Sequence, residues 1–227
     1  MARTFTLVDS LALGDLQVYL QRAMRVDDGS VRLIAGSGVL AVYVPVLLPL
    51  GLLDESATVL GLRTFAVLDT EAFDAVVPVR SLLARIDTQA DTSNVEIGHP
   101  VTVTVPMEVN TVTWTAIAPP RGGWHPLPEI DASLLDDAAK AGIDEVAAAI
   151  PTGTGEQIVR RVRSEVWGRP LADGLEHIPT GAGFAALSLG FLGDGDTVAV
   201  YGSGPWTRLT TKRGHVLVKR RNWTIAR

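Results

Sequence analysis

Two rhythms of apolar and polar residues run along the chain, and they sort it into elements. Thr4–Val8 alternates with a period of two and predicts a short strand. Gly14–Val26 brings Leu16, Leu20, Ala23 and Met24 to one side at helical spacing. Asp15 stands near its start and Arg22 and Arg25 near its end, as the helix dipole favours. Val31–Ala35 and Val39–Pro45 flank Gly36-Ser37-Gly38 and predict a β-hairpin. Gly36-x-Gly38-x-x-Ala41, with Asp54 downstream, also imitates a dinucleotide fingerprint. That fingerprint needs a helix at the glycines, whereas Val39, Val42, Tyr43 and Val44 are strand formers and Pro45 a breaker.

Leu47–Val59 reads as an apolar loop or short helix, and Gly61–Leu68 as a strand. Glu71–Val77 reads as a helical turn or two, and Pro78–Ile86 as a helix with proline near its first turn. Thr88–Asn94 is polar and is expected to be exposed. Val101–Val105 alternates strongly, and Thr111–Ile117 is expected to follow as its antiparallel partner across Pro106–Asn110.

The second half opens on a helical region, Asp131–Ile150, which Gly142 is expected to divide. Glu156–Trp167 has the clearest helical period, with Ile158, Val159, Val162 and Val166 on one face. Phe184–Phe191 is apolar nearly all round and predicts a buried helix. Thr197–Tyr201, Trp206–Thr210 and His215–Lys219 predict a three-stranded meander, turning at Gly202–Pro205 and Lys212–Gly214. Together these predict an α+β fold: a mixed, mostly antiparallel sheet with packed helices, a helical middle segment and a C-terminal three-stranded meander. A strand-rich half over 1–118 and a second half over 119–227 are expected, although one shared core fits equally well.

Composition narrows the class. An apolar fraction of 47% with mean hydropathy +0.24 supports a packed core. The chain has no cysteine, which removes disulfides, thiolate nucleophiles and cysteine-held metals. Asp9 and Asp15 interrupt the start, so no signal peptide is expected. The longest uncharged apolar run, Val39–Leu53, is 15 residues and contains Pro45 and Pro49. A spanning helix needs about 20, so this run is expected to be buried strand and loop rather than a membrane span. Net charge is −5 but uneven: residues 208–227 carry +7 with no acid, and the rest −12.

Candidate chemistry is sparse. Ala116–Pro126 sets Arg121, Trp124 and His125 among Pro119, Pro120, Gly122, Gly123 and Pro126. A loop held this stiffly suits an anion at Arg121, a stacking surface at Trp124 and an acid or base at His125. The plainer reading is a linker whose Trp124 plugs into a core. Ile150-Pro-Thr-Gly-Thr-Gly155 recurs as Ile178-Pro-Thr-Gly-Ala-Gly183, each before a predicted helix. Thr152, Gly153, Thr180 and Gly181 are thus candidates for an anion at a helix start, or simply caps. Neither copy continues as a P-loop. The histidines lack metal-binding spacing, so no metal and no cofactor are expected. Trp206, Arg208, Lys212, Arg213, Lys219, Arg220 and Arg221 mix cations with an aromatic ring, as single-strand binders do, but the remaining −12 would repel a polyanion.

P-P-R-G-G-W at 119–124, V-W-G-R-P-L at 166–171 and W-T-R-L-T-T-K-R-G-H-V-L-V at 206–218 resemble phrases in uncharacterised proteins of high-GC actinobacteria. The resemblance implies a cytoplasmic bacterial protein and carries over no catalytic residue. The function expected from sequence is therefore a binding or interaction protein with a protein partner, nucleic acid being unlikely and a homodimer an open option. The alternatives are an enzyme or sensor for a small anion at Arg121 and His125, and nucleic-acid binding by the C-terminal meander.

Overall fold

A computed structural model describes residues 3–49, 56–92, 98–110, 112–116, 118–150 and 155–220. The chain divides into two compact units. The first comprises Met1–Pro45 and Leu62–Ile117, the second Val46–Gly61 and Ala118–Arg227. The fold class is α+β. An eight-stranded sheet, antiparallel in every pairing whose register is defined, is accompanied by a separate two-stranded pair and five helices among the described residues.

In the first unit, β1 (Thr4–Leu7) pairs antiparallel with β6 (Val101–Thr104), with Phe5 opposite Val103. The predicted partner of β6, Thr111–Ile117, is not a strand. Thr113–Ala116 forms a 3-10 turn that buries Trp114, while Thr111 and Ile117 lie outside the described residues. α1 (Ser10–Val26) begins where the Asp9 carboxylate accepts from the Ala12 amide at 2.7 Å. Its buried residues Leu13, Leu16, Leu20 and Ala23 keep the helical spacing of the sequence. Tyr19 is fully buried beside them, and its hydroxyl donates to the Val42 carbonyl at 3.3 Å.

β2 (Ser30–Gly36) and β3 (Val39–Leu47) form the predicted hairpin. Ser37 and Gly38 both have positive φ, 52° and 78°, so the strands turn back with no helix for a dinucleotide. β4 is Thr58–Ala66, longer at its start than the sequence suggested; Leu50–Glu55 lie outside the described residues. The segment read as a helical turn is β5 (Phe73–Pro78), paired with β2 so that Ala75 faces Leu33 and Val77 faces Val31. Six residues cannot sustain a helix against a neighbouring strand that buries alternate side chains. The Arg32 guanidinium locks this pairing, with Nε on Asp74 at 2.8 Å and a second nitrogen on the Thr115 carbonyl at 2.7 Å. α2 (Val79–Thr92) runs on past Ile86, where the helix was expected to end, and buries Val79, Leu82, Leu83 and Ile86.

The second unit is built on β7 (His125–Asp131), β8 (Thr197–Ser203), β9 (Trp206–Thr210) and β10 (His215–Lys219), in the sheet order β10-β9-β8-β7. The last three are the predicted meander. α3 (Ala132–Ala149), α4 (Glu156–Gly168) and α5 (Thr180–Ser188) pack on one another. α3 is not divided at Gly142. A β-carbon at Gly142 would lie 2.2 Å from the buried Trp167 ring, so the glycine makes room for the ring and leaves the helix unbroken. Ile158, assigned by periodicity to the buried face of α4, is 57% exposed. Among the described residues no helix is long and apolar enough to cross a membrane.

Candidate functional site

The short turn Gly204–Pro205 fixes the pairing of β8 with β9 as Ser203 opposite Trp206. Each step back along both strands preserves that register, so Tyr201 stands opposite Arg208, and Arg208 opposite Leu217 on β10. Trp124, just before β7, completes the group. Its indole nitrogen donates to the Pro120 carbonyl at 3.1 Å, within a loop that Gly123 turns at φ 74°.

The Arg208 guanidinium carbon lies 4.7 Å from the centre of the Trp124 ring and 4.6 Å from that of Tyr201. Such contacts are worth about 0.5–2 kcal/mol each, rising with desolvation. Arg208 Nε is sealed from solvent and has no hydrogen-bond partner among the described residues. An unsatisfied buried donor costs about 1–3 kcal/mol. Two register rows on, His215 Nδ1 and the Thr210 hydroxyl are 3.0 Å apart. Burial, and then the positive charge of Arg208, pull the His215 pKa below that of ordinary imidazole.

The described residues expected to hold an anion stand on separate elements, β7 with the loop before it and the start of α5. Arg121 is exposed. His125 begins β7 opposite Gly202, where a β-carbon would sit 2.9 Å from its Nε2. At the start of α5, the Thr180 hydroxyl donates to Val166 O at 2.7 Å and the Thr180 amide to Arg169 O at 2.8 Å. The Ala182 amide donates to Pro179 O. A β-carbon at Gly181 would meet Trp167 O at 2.9 Å, and one at Gly183 would meet Leu135 O at 2.5 Å. This Thr-Gly-Ala-Gly run therefore lets helices pack backbone to backbone, with the Thr180 and Ala182 amides spent on protein carbonyls. Thr152 and Gly153 lie outside the described residues.

The cations of the meander are largely engaged within the fold. Lys212 pairs with Asp196 at 2.6 Å, Arg213 donates to Leu192 O at 3.1 Å, and Lys219 lies 5.9 Å from the Trp206 ring. Trp206 is buried and Arg220 exposed, while Arg221 lies outside the described residues. Beside the first turn of α3 an open groove is lined by Glu129, Asp131, Ser133 and Asp137. Among the described residues no three acids or histidines converge to hold a metal.

Sequence reasoning found Trp124 and Arg208 but placed them in different candidate sites, and it passed over Tyr201. The signal that joins them was present, because a tight turn at Gly204–Pro205 fixes every pairing upstream of it.

Comparisons with known proteins set this geometry in a fold. Residues 1–107 match the family model described as Domain of unknown function (DUF8010), and residues 119–223 that described as Domain of unknown function (DUF8185). No curated protein matches the chain. Among solved structures, the DNA polymerase III subunit beta from Pseudomonas aeruginosa is similar at a TM-score of 0.51 and 14% identity, over 98% of this chain and 66% of that one. Caulobacter crescentus pol III beta is similar at 0.50 and 13%, again over 98% and 66%. A DNA polymerase sliding clamp from Caulobacter crescentus is also similar, at 0.49 and 13% identity, over 99% and 67%. The chain spans about two thirds of the length of these proteins. This finding corrects the function expected from sequence: the uncharacterised binding or interaction protein, with a small-anion enzyme or sensor as its alternative, gives way to a chain with the fold of DNA polymerase III beta subunits. The expectation that nucleic acid is an unlikely associate loses its support with it. At these identities the likeness establishes the fold, and the fold of this chain is that of the DNA polymerase III beta subunit.

Proposed function

We propose that this chain is a clamp-like interaction protein that works in association with DNA and does so by docking other proteins. The observation that carries the reading is the likeness to DNA polymerase III beta subunits over 98% of the chain at a TM-score of 0.51. The charges favour docking over a grip on bare DNA. Neutralising a run of phosphates needs a row of free cations. α3 carries four acids and one lysine, α5 no charge, α2 two of each sign, α1 two arginines and one acid, and α4 three arginines and two acids, so none of these helices exceeds a net charge of +1. In the meander, Lys212 and Arg213 already serve partners within the fold.

The test is formaldehyde crosslinking in cells that express the tagged chain, followed by capture of the tag and quantification of co-purified DNA. The reading expects DNA well above an untagged control. Recovery equal to that control overturns it.

A further inference from the structure

We infer that Arg208 is a docking point for a carboxylate side chain of a protein partner. Two rings pack against its guanidinium, Trp124 at 4.7 Å and Tyr201 at 4.6 Å. The rings offer the cation their π faces and accept no conventional hydrogen bond from its N–H groups. Arg208 Nε has no partner, and no ion pair or hydrogen bond to Arg208 forms among the described residues. Elsewhere arginines on this chain find acids: Arg32 pairs with Asp74, Arg63 with Asp15 and Arg169 with Glu145. Arg208 is thus positioned by two rings while its donors stay unspent among the described residues.

A planar group with two acceptor oxygens is the chemical match for a guanidinium edge. Arg208 is half-buried, so the side chain as a whole is not sealed, although its Nε is. A carboxylate on a flexible protein segment answers this geometry better than a nucleic-acid backbone. One carboxylate needs one arginine, whereas a phosphate track needs several aligned free cations. The neighbouring strand β7 carries Pro126 and Pro128, which have no amide to donate. Recognition here therefore falls to side chains more than to an added strand.

The inference rests on the clamp-like reading only in taking the ligand from a protein, and its test is independent of DNA. The full chain is observed by arginine side-chain 1H–15N spectra, with the Arg208 Nε–H signal identified by its loss in Arg208→Lys. The probes are acetyl-Gly-Glu-Phe-Gly-amide, its Gln counterpart and a short oligothymidylate. The Glu peptide is expected to move the Arg208 signal saturably and the Gln peptide not. Affinity for the Glu peptide, followed on backbone amides of β8 and β9, is expected to fall at least ~10-fold in Arg208→Lys, which keeps the charge and loses the planar fork. An equal response to both peptides, or none, overturns the inference. A response to oligothymidylate in preference to peptide overturns it in favour of nucleic acid. Failure on any of these counts leaves DNA recovery by crosslinking unaffected.

Discussion

Substituting Gly142 by alanine sets two opposed effects against each other. In a helix interior alanine is favoured over glycine by about 1 kcal/mol, so propensity alone predicts stabilisation. The new methyl would lie 2.2 Å from Trp167 Cζ3 and 2.6 Å from Cη2. Restoring an ordinary contact of 3.4 Å requires a movement of about 1.2 Å between α3 and the ring. The ring has little freedom to yield, being 2% exposed and stacked on Phe184 with centroids 4.6 Å apart. Overpacking of this kind costs about 1–3 kcal/mol, and an overlap this deep belongs at the upper end. The net expectation is a loss of about 2 kcal/mol, or a Tm lower by about 4–8 °C at this chain length. The assay is thermal and urea unfolding followed by tryptophan emission, since four of the five tryptophans lie after residue 118. Gly14→Ala in α1 is the control, because nothing lies within 4 Å of its β-carbon position. That variant is expected to gain up to about 1 kcal/mol. If Gly142→Ala raises Tm as Gly14→Ala does, the packing of α3 against Trp167 is refuted.

Three further outcomes follow from the same geometry. Gly183→Ala is expected to destabilise by about 2 kcal/mol or more, because its methyl meets the Leu135 carbonyl and backbone cannot rotate aside; urea midpoints check it. Burial lowers the pKa of His215 and of His177, so the unfolded chain binds protons more readily than the folded one. Their stability contribution is complete above about pH 6.5 and is lost as pH falls through the lowered folded values; His215→Gln is expected to flatten the decline between pH 7.5 and 5, leaving the His177 part. Asp74→Asn is expected to cost about 1–3 kcal/mol, since it removes the carboxylate that Arg32 grips while Arg32 stays only 17% exposed, and urea unfolding measures the loss.

How much the sequence revealed depended on whether the deciding contact was local. The Gly36-Ser37-Gly38 hairpin, the meander and the core face of α1 were legible because turn chemistry and periodicity act over a few residues. β5 was not: F-D-A-V-V-P suits either state until β2 lies beside it, and that partner is some forty positions away. Trp114 sits in a 3-10 turn for a like reason, since its burial is set by tertiary packing. The glycines at 142, 181 and 183 looked like breakers or anion cradles, yet each answers to a neighbouring backbone or ring that the sequence does not display. At the candidate site, Trp124 was singled out for its surroundings, while its partnership with Tyr201 required following the register from the turn at Gly204–Pro205.

The central claim is that a clamp-like chain associates with DNA through docked proteins, and crosslinking by two chemistries tests it most directly. Formaldehyde joins DNA to the tagged chain through intervening proteins, whereas ultraviolet light joins only direct contacts. The account predicts abundant DNA after formaldehyde and little after ultraviolet light. Equal, efficient recovery by both would identify a direct DNA binder, and recovery by neither above an untagged control would contradict the association itself.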